Sequence, residues 1–256
     1  GAGSDVAGIS SRLEKTDRGW ILDGHKMFIT NGTVADHYYL LARSAPPPSK
    51  EKRHHGLTLA IVERKWKGVN PVKIKGKLGM RATDTAEITF ENVEVPNENI
   101  VGEEGKGFYI IMTFFNISRV YVAAQSVGTA QGILDVVLEY LSNKPVNFRE
   151  MEYVQFALAE MSTLVEAARN ITYKAATKVF SFNPDPALTS MAKYYAAETA
   201  NQVANMAFKI VGLEASGTKL EKLYRDAKIT EIWEGTSEIE KLVISRMILK
   251  KIQEVK

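Results

Sequence analysis

The sequence predicts an α+β protein: an N-terminal small β-barrel or sandwich domain followed by an antiparallel helical bundle of four-helix type. Three observations carry this. Short runs of β-branched and aromatic residues, punctuated by turn dipeptides, fill residues 1–103. The apolar spacing then changes to a helical period after Gly105-Lys106-Gly107. From there residues 104–256 read as long amphipathic stretches divided by short polar breaks.

In the first domain, turn signals fall at Asp17-Arg18-Gly19, Asp23-Gly24 and Asn31-Gly32. They bound strands at Trp20-Ile21-Leu22, from His25 to Ile29 and from Tyr38 to Leu41, and the pattern continues from Leu57 to Val62 and from Ala86 to Phe90. Gly68 to Val72 is strand-like, but Pro71 cannot donate to a ladder, which confines this stretch to an edge or bulge. Ser44 to Gly56 holds three consecutive prolines and then five Lys, Arg or His residues, an exposed loop.

In the second domain, Asn116-Ile117-Ser118-Arg119 reads as a helix start, and Ala123, Val127, Leu134, Leu138 and Leu141 fit one helical face. Met151, Val154, Leu158, Met161, Val165, Ala168 and Thr172 mark the next helix. Leu188, Met191, Tyr195, Thr199, Val203, Met206 and Ile210 mark a third. Asn183-Pro184-Asp185-Pro186 separates these two, with a proline suited to a first helical turn. Leu242, Val243, Ile248, Leu249 and Ile252 give the last helix an apolar face.

Composition narrows the function classes. At 45% hydrophobic and 25% charged, the chain is ordinary for a globular protein. A net charge of +3 is too small to argue for nucleic acid. The absence of Cys excludes disulfides, thiolate metal sites and Cys nucleophiles. No uninterrupted apolar run approaches the roughly 18 residues of a membrane span. The N-terminus lacks the basic-then-apolar pattern of a signal peptide. His54-His55 has no acidic neighbour and makes a poor metal site, so no metal is expected. Gly102, Gly105 and Gly107 resemble a phosphate loop only superficially. The chain opens at Gly1 without Met and reads as a piece or processed product of a longer polypeptide.

The chemistry concentrates at Glu234, which follows Trp233 and precedes Gly235-Thr236-Ser237. Gly235 lets the backbone turn, and Ser237 with Glu240 reads as a capping box opening the last helix. Glu234 then sits in a break between helices. Beside indole and away from water its charged form would be disfavoured, which suits a general base that takes a proton from carbon. A capping Glu in a solvated loop is the alternative, and these residues alone leave both open.

The full string from Arg225-Asp226-Ala227-Lys228-Ile229 through Glu234-Gly235-Thr236-Ser237-Glu238-Ile239 closely resembles a signature of the flavin-dependent acyl-CoA dehydrogenase family. Gly1-Ala2-Gly3-Ser4-Asp5 and Lys26-Met27-Phe28-Ile29-Thr30-Asn31-Gly32 resemble two more, in the family's order, and Leu78-Gly79-Met80-Arg81 is also family-like. The resemblance runs from residue 1 to about 250 and covers the family's middle and C-terminal domains; the helical domain that precedes them in the family has no counterpart here.

This resemblance implies α,β-desaturation of an acyl-CoA thioester: a base removes the α-proton while the β-hydrogen leaves as hydride to flavin N5, and donors at the thioester oxygen stabilise the enolate. Glu234 maps to the base, and Gly235 would leave room for the thioester. Phe28, where Trp is usual, would pack on the flavin of FAD beside Ile29, and Thr30 would bond its N5 edge. Ser4 would contact cofactor and substrate, Asn116 and Arg119 the substrate, with Arg119 near the CoA adenosine. Gln155, Thr236 and Glu238 are further flavin contacts. Two departures stand out. Lys144 replaces the Arg that meets the flavin pyrophosphate, and Lys209-Ile210-Val211-Gly212-Leu213-Glu214-Ala215 keeps one of three glycines and adds a negative charge. The implied partners are an acyl-CoA substrate, a separate electron-transfer flavoprotein as acceptor and further copies of the chain in a dimer or tetramer, in the cytoplasm or mitochondrial matrix. The rival reading is a non-catalytic acyl-CoA-binding or scaffold member with weakened FAD binding; an acyl-CoA oxidase is a third.

Overall fold

The computed structural model describes residues 2–254, with side chains through 252. Gly1 of the N-terminal motif and the last two residues of the 104–256 range lie outside the described residues. Two compact units form, Gly1–Lys77 with Arg81–Phe114, and Leu78–Met80 with Phe115–Lys256.

The first unit is a seven-stranded mixed sheet in the order β5-β6-β2-β1-β3-β4-β7. Its strands are β1 (Arg12–Thr16), β2 (Gly19–Thr30), β3 (His37–Arg43), β4 (Leu57–Glu63), β5 (Val69–Lys73), β6 (Thr85–Val95) and β7 (Ile100–Val101). Among the described strands β1 and β3 pair in parallel and the other pairs are antiparallel. Leu13, Leu22, Leu40, Val62, Ile88, Phe90 and Val93, drawn from five strands, share one buried core, so the sheet curls over its own inner face. Pro71 sits on edge strand β5 opposite Ile88, the position its missing N–H requires. Asp23-Gly24 is a bulge within the continuous β2, where the sequence suggests a turn, because β6 pairs along both halves. A second register shift lies between Lys26 and Ile29, and there Phe28 takes φ +60°.

The helical unit contains α1 (Gly107–Ser142), α2 (Val146–Arg149), α3 (Glu152–Phe180), α4 (Pro186–Val211), α5 (Lys219–Ala227) and α6 (Ser237–Glu254). The fold class is the one the sequence predicts, a mixed sheet followed by a helical bundle. Asn116 to Arg119 do not open a helix; they lie in the third and fourth turns of α1, whose first turns belong to the sheet unit. By length and composition α1 is apolar enough to cross a membrane. The few charges scattered through it hid this from a search for unbroken apolar runs. Its Val120, Ala123, Val127, Ala130, Ile133, Val137 and Leu141 are buried in two clusters of the bundle.

Asp185 caps α4 by accepting from the N–H groups of Ala187 (2.9 Å) and Leu188 (3.2 Å), with Pro186 at the first position. The packed surface of α4 is wider than the expected stripe, whose Thr199, Val203 and Ile210 are buried and whose Leu188, Met191, Tyr195 and Met206 are half-buried. Ala192, Ala196, Ala197, Ala200, Ala204 and Ala207 are buried, because this helix is packed by neighbours on several sides and close approach needs small side chains. On α6 the predicted apolar residues Leu242, Ile248, Leu249 and Ile252 are exposed in this chain.

Candidate functional site

The end of α5 runs through a 3-10 turn, Lys228–Glu231, into a sharp corner before α6. Glu234 there has φ +53° and Gly235 φ +102°. Two successive left-handed residues reverse the chain in minimal length, and the first is not glycine, a conformation that persists only where surroundings enforce it. Gly235 cannot be replaced without movement, since a Cβ would fall on the Glu240 carboxylate.

Glu234 itself is exposed. The dry setting expected beside Trp233 is not supplied by this chain. Its Oε2 accepts a hydrogen bond from the Ser118 hydroxyl on α1 at 2.8 Å. That bond leaves the other oxygen for a reacting group and fixes the carboxylate's direction.

Below the corner lies a buried charge cluster. Glu240 is fully buried, and Arg119 Nε stands 3.0 Å from its Oε1 and 2.9 Å from its Oε2, with only the first aligned as a hydrogen bond. Arg119 also donates to Asn116 Oδ1 at 3.0 Å. Lys193 on α4 is fully buried and donates to the Gly235 carbonyl oxygen. Burial pushes its ammonium down to about 8; Glu240 opposes that, Arg119 adds to it, and Glu234 and Glu231 oppose it. The Trp233 Nε1 and Ser237 Oγ nearby in sequence are buried without a partner.

Arg119 is buried and bonds Glu240 and Asn116. One expectation is corrected: Ser237 and Glu240 do not form a capping box. Thr236 is the cap, its Oγ1 accepting from Ile239 N at 3.3 Å, and Glu240 is an ion-pair partner rather than a capping side chain. Thr236 also bonds the exposed Glu238, whose carboxyl is held low by its own backbone N–H and that hydroxyl.

Two predicted cofactor contacts of the helical unit lie apart from this corner. Gln155 donates to the Glu150 carbonyl at 2.8 Å in the first turns of α3. Lys144 pairs with Glu214 at 2.9 and 3.0 Å and lies over the Tyr140 ring at 4.4 Å. The two departures noted separately in the sequence therefore meet in one ion pair, with Glu214 largely exposed. In the sheet unit, Ser4 is exposed in a turn closed by Asp5 N and Ala2 O at 3.0 Å. Phe28 is 72% exposed, and Thr30 beside it is exposed as well.

A flavin can be tested against these residues. A bare, strained aromatic followed by an exposed hydroxyl suits a flat ring with a hydrogen-bonding edge. The ring end fits. The Lys144–Glu214 pair offers no net charge to a diphosphate.

Sequence reading missed Lys193, Ser118 and Asp226. A lysine set among the alanines in the first half of α4 was the available signal for the first. Ser118 carried none. Asp226 accepts from Met80 N at 2.6 Å, and Arg225 donates to the Leu78 carbonyl at 3.0 Å, so the Arg-Asp of the signature clips Leu78–Met80 onto α5. Gly79 there touches the Arg225 backbone where a Cβ would not fit.

The sequence profile described as the acyl-CoA dehydrogenase middle domain matches residues 1–93, and that of the C-terminal domain matches residues 105–249. The chain is 37% identical over 254 residues to 2-methylacyl-CoA dehydrogenase of Solanum tuberosum, covering 97% of this chain and 61% of that protein. It is 35% identical to cyclohexane-1-carbonyl-CoA dehydrogenase of Geobacter metallireducens, covering 98% and 66%. Among solved structures, butyryl-CoA dehydrogenase of Megasphaera elsdenii superposes with a TM-score of 0.90 at 37% identity, over 97% of this chain and 65% of that one. The chain thus spans under two thirds of the length of these relatives. Its two units, its corner at Glu234 and these matches together place the chain in the acyl-CoA dehydrogenase family.

Proposed function

We propose that the protein carrying this chain is a flavin-dependent dehydrogenase that introduces an α,β double bond into an acyl-CoA thioester. The observation that supports this best is the Glu234 carboxylate, displayed at a left-handed corner and aligned by the Ser118 hydroxyl. FAD, when bound, would supply a hydride acceptor for the hydrogen of the β-carbon. Phe28, Ile29 and Thr30 would hold its ring, and Thr236, Glu238 and Gln155 are its candidate contacts in the helical unit. Glu234 removes the α-proton, and Ser118 steadies the carboxylate while it does so. Gly235 keeps the space next to the base clear of a side chain. Ser4, Asn116 and Arg119 are candidate substrate contacts, and Arg119 also holds the framework through Glu240.

The substrate class is a fatty or branched acyl-CoA; relatives named for 2-methylacyl, cyclohexane-1-carbonyl and butyryl groups do not narrow it. An electron-transfer flavoprotein is the proposed acceptor, in the cytoplasm or mitochondrial matrix. Assembly into a homo-oligomer would cover the exposed Leu242, Ile248, Leu249 and Ile252 of α6. The test is anaerobic addition of several acyl-CoA thioesters to the FAD-loaded, full-length protein. The flavin bleaches, and Glu234→Gln abolishes bleaching. A wild type that keeps its colour with every thioester defeats the reading. The Lys144–Glu214 pair favours one rival, an acyl-CoA-binding member with weak FAD affinity, which would purify without flavin absorption.

A further inference from the structure

Lysine is almost never fully buried unless it is paired, yet Lys193 is. Charge balance does not require it there, because Glu240 already has Arg119 as its partner. The hydrogen bond of Lys193 goes instead to backbone, to the Gly235 carbonyl at the corner. Glu240 fills the space beside the Gly235 Cα. The corner is therefore gripped by α4 through Lys193 and by α6 through Glu240. A left-handed non-glycine residue persists only when its surroundings over-determine it, and these two side chains on Gly235 join the Ser118 hydroxyl on Glu234 in holding the corner.

We propose that Lys193 is a positioning residue for the base: its ammonium fixes the Gly235 carbonyl and so the left-handed corner that presents Glu234. The proposal rests on the reading of Glu234 as the base. Lys193 touches no reacting atom in this account. It acts through the backbone.

The test uses Lys193→Met in the FAD-loaded, full-length protein. Methionine preserves the unbranched shape, and its introduction leaves Arg119 and Glu240 as a neutral pair, so the bundle keeps its packing. Should that variant not fold, Lys193→Gln is read in the same way. Hydrogen exchange of the segment from Glu231 to Glu238 is measured together with steady-state turnover of an acyl-CoA thioester. Exchange in the segment rises about tenfold while the rest of α4 is unchanged. The kcat falls about a hundredfold, as misplacement of a catalytic group by a fraction of an ångström to an ångström does, and KM stays within about threefold. Unchanged exchange overturns the proposal, and so does faster exchange with an unchanged kcat. A wild type that no thioester bleaches defeats the dehydrogenase reading instead, and exchange then decides alone whether Lys193 holds the corner.

Discussion

Replacing Gly235 with Ala tests the corner most directly. At φ +102° any residue with a Cβ is strained, at a cost of about 1–3 kcal/mol. The added Cβ would also lie within 3.0 Å of the Glu240 carboxylate, a separation real Cβ atoms essentially never show. Glu240 is a long side chain, but it has nowhere to go. It is fully buried and held by Arg119. Breaking a buried pair outright costs about 3–5 kcal/mol, and a forced shift costs a fraction of that. The two effects together give about 3–5 kcal/mol. For a chain of this size that lowers the melting temperature by about 10 °C.

The assay is denaturant unfolding of wild type and Gly235→Ala, read by the midpoint at constant m-value. A loss below about 1 kcal/mol would refute the reasoning. A double-mutant cycle separates the two causes. If the clash with Glu240 is real, Gly235→Ala costs less in a Glu240→Ala background, with a coupling of at least about 1 kcal/mol. Strict additivity would mean that backbone strain alone is at work and that the carboxylate moves freely.

Three further outcomes are expected. Ser118→Ala removes the hydroxyl that aligns Glu234 and lowers kcat/KM about tenfold with little change in unfolding; equal kinetics would show that the bond plays no part. Phe28→Gly relieves a left-handed aromatic that is mostly exposed, so stability holds or rises by up to about 1 kcal/mol while flavin retention falls; a loss of more than about 1 kcal/mol contradicts the strain argument. Burial lowers the Lys193 ammonium to about 8, so between there and the unfolded value near 10.4 the unfolded chain binds the extra proton. The penalty is full below the lower value and fades as pH rises. Unfolding at pH 7 and pH 10 should therefore show wild type gaining on Lys193→Met by at most about 3 kcal/mol, and a constant difference would mean that the amine is not desolvated.

How much of this was legible differs by residue. Alternation and turn chemistry located β2 to β6, and Pro71 marked an edge strand correctly. The Asp23-Gly24 bulge misled because a turn signal in sequence does not reveal that β6 continues to pair past it. On α4 the large residues marked part of the packed surface, but the alanines that complete it were not read, because a helix packed by several neighbours is buried well beyond one stripe. The corner at Glu234 was visible through Gly235, whereas its supports were not. Ser118, Lys193 and Glu240 stand 116, 42 and 6 residues or fewer from the loop they serve, and only the last is local. A polar residue on a helix reads as solvated until the fold shows what lies above it.

The Lys144–Glu214 pair carries the same lesson for function. Taken singly, each residue looks like erosion of a phosphate contact, and each would leave a charge of one sign at its site. Taken together they form an ion pair with no net charge. What the sequence presents as two losses is one local substitution of an internal partner for an external one. The corner shows the opposite economy: strain at Glu234 and two fully buried charges are concentrated where an ordinary helix junction would need neither. Natural sequences keep such violations of local preference mainly where function requires them. The contrast supports the proposal of Glu234 as the base over that of a scaffold without chemistry, because a scaffold would have no use for the strain.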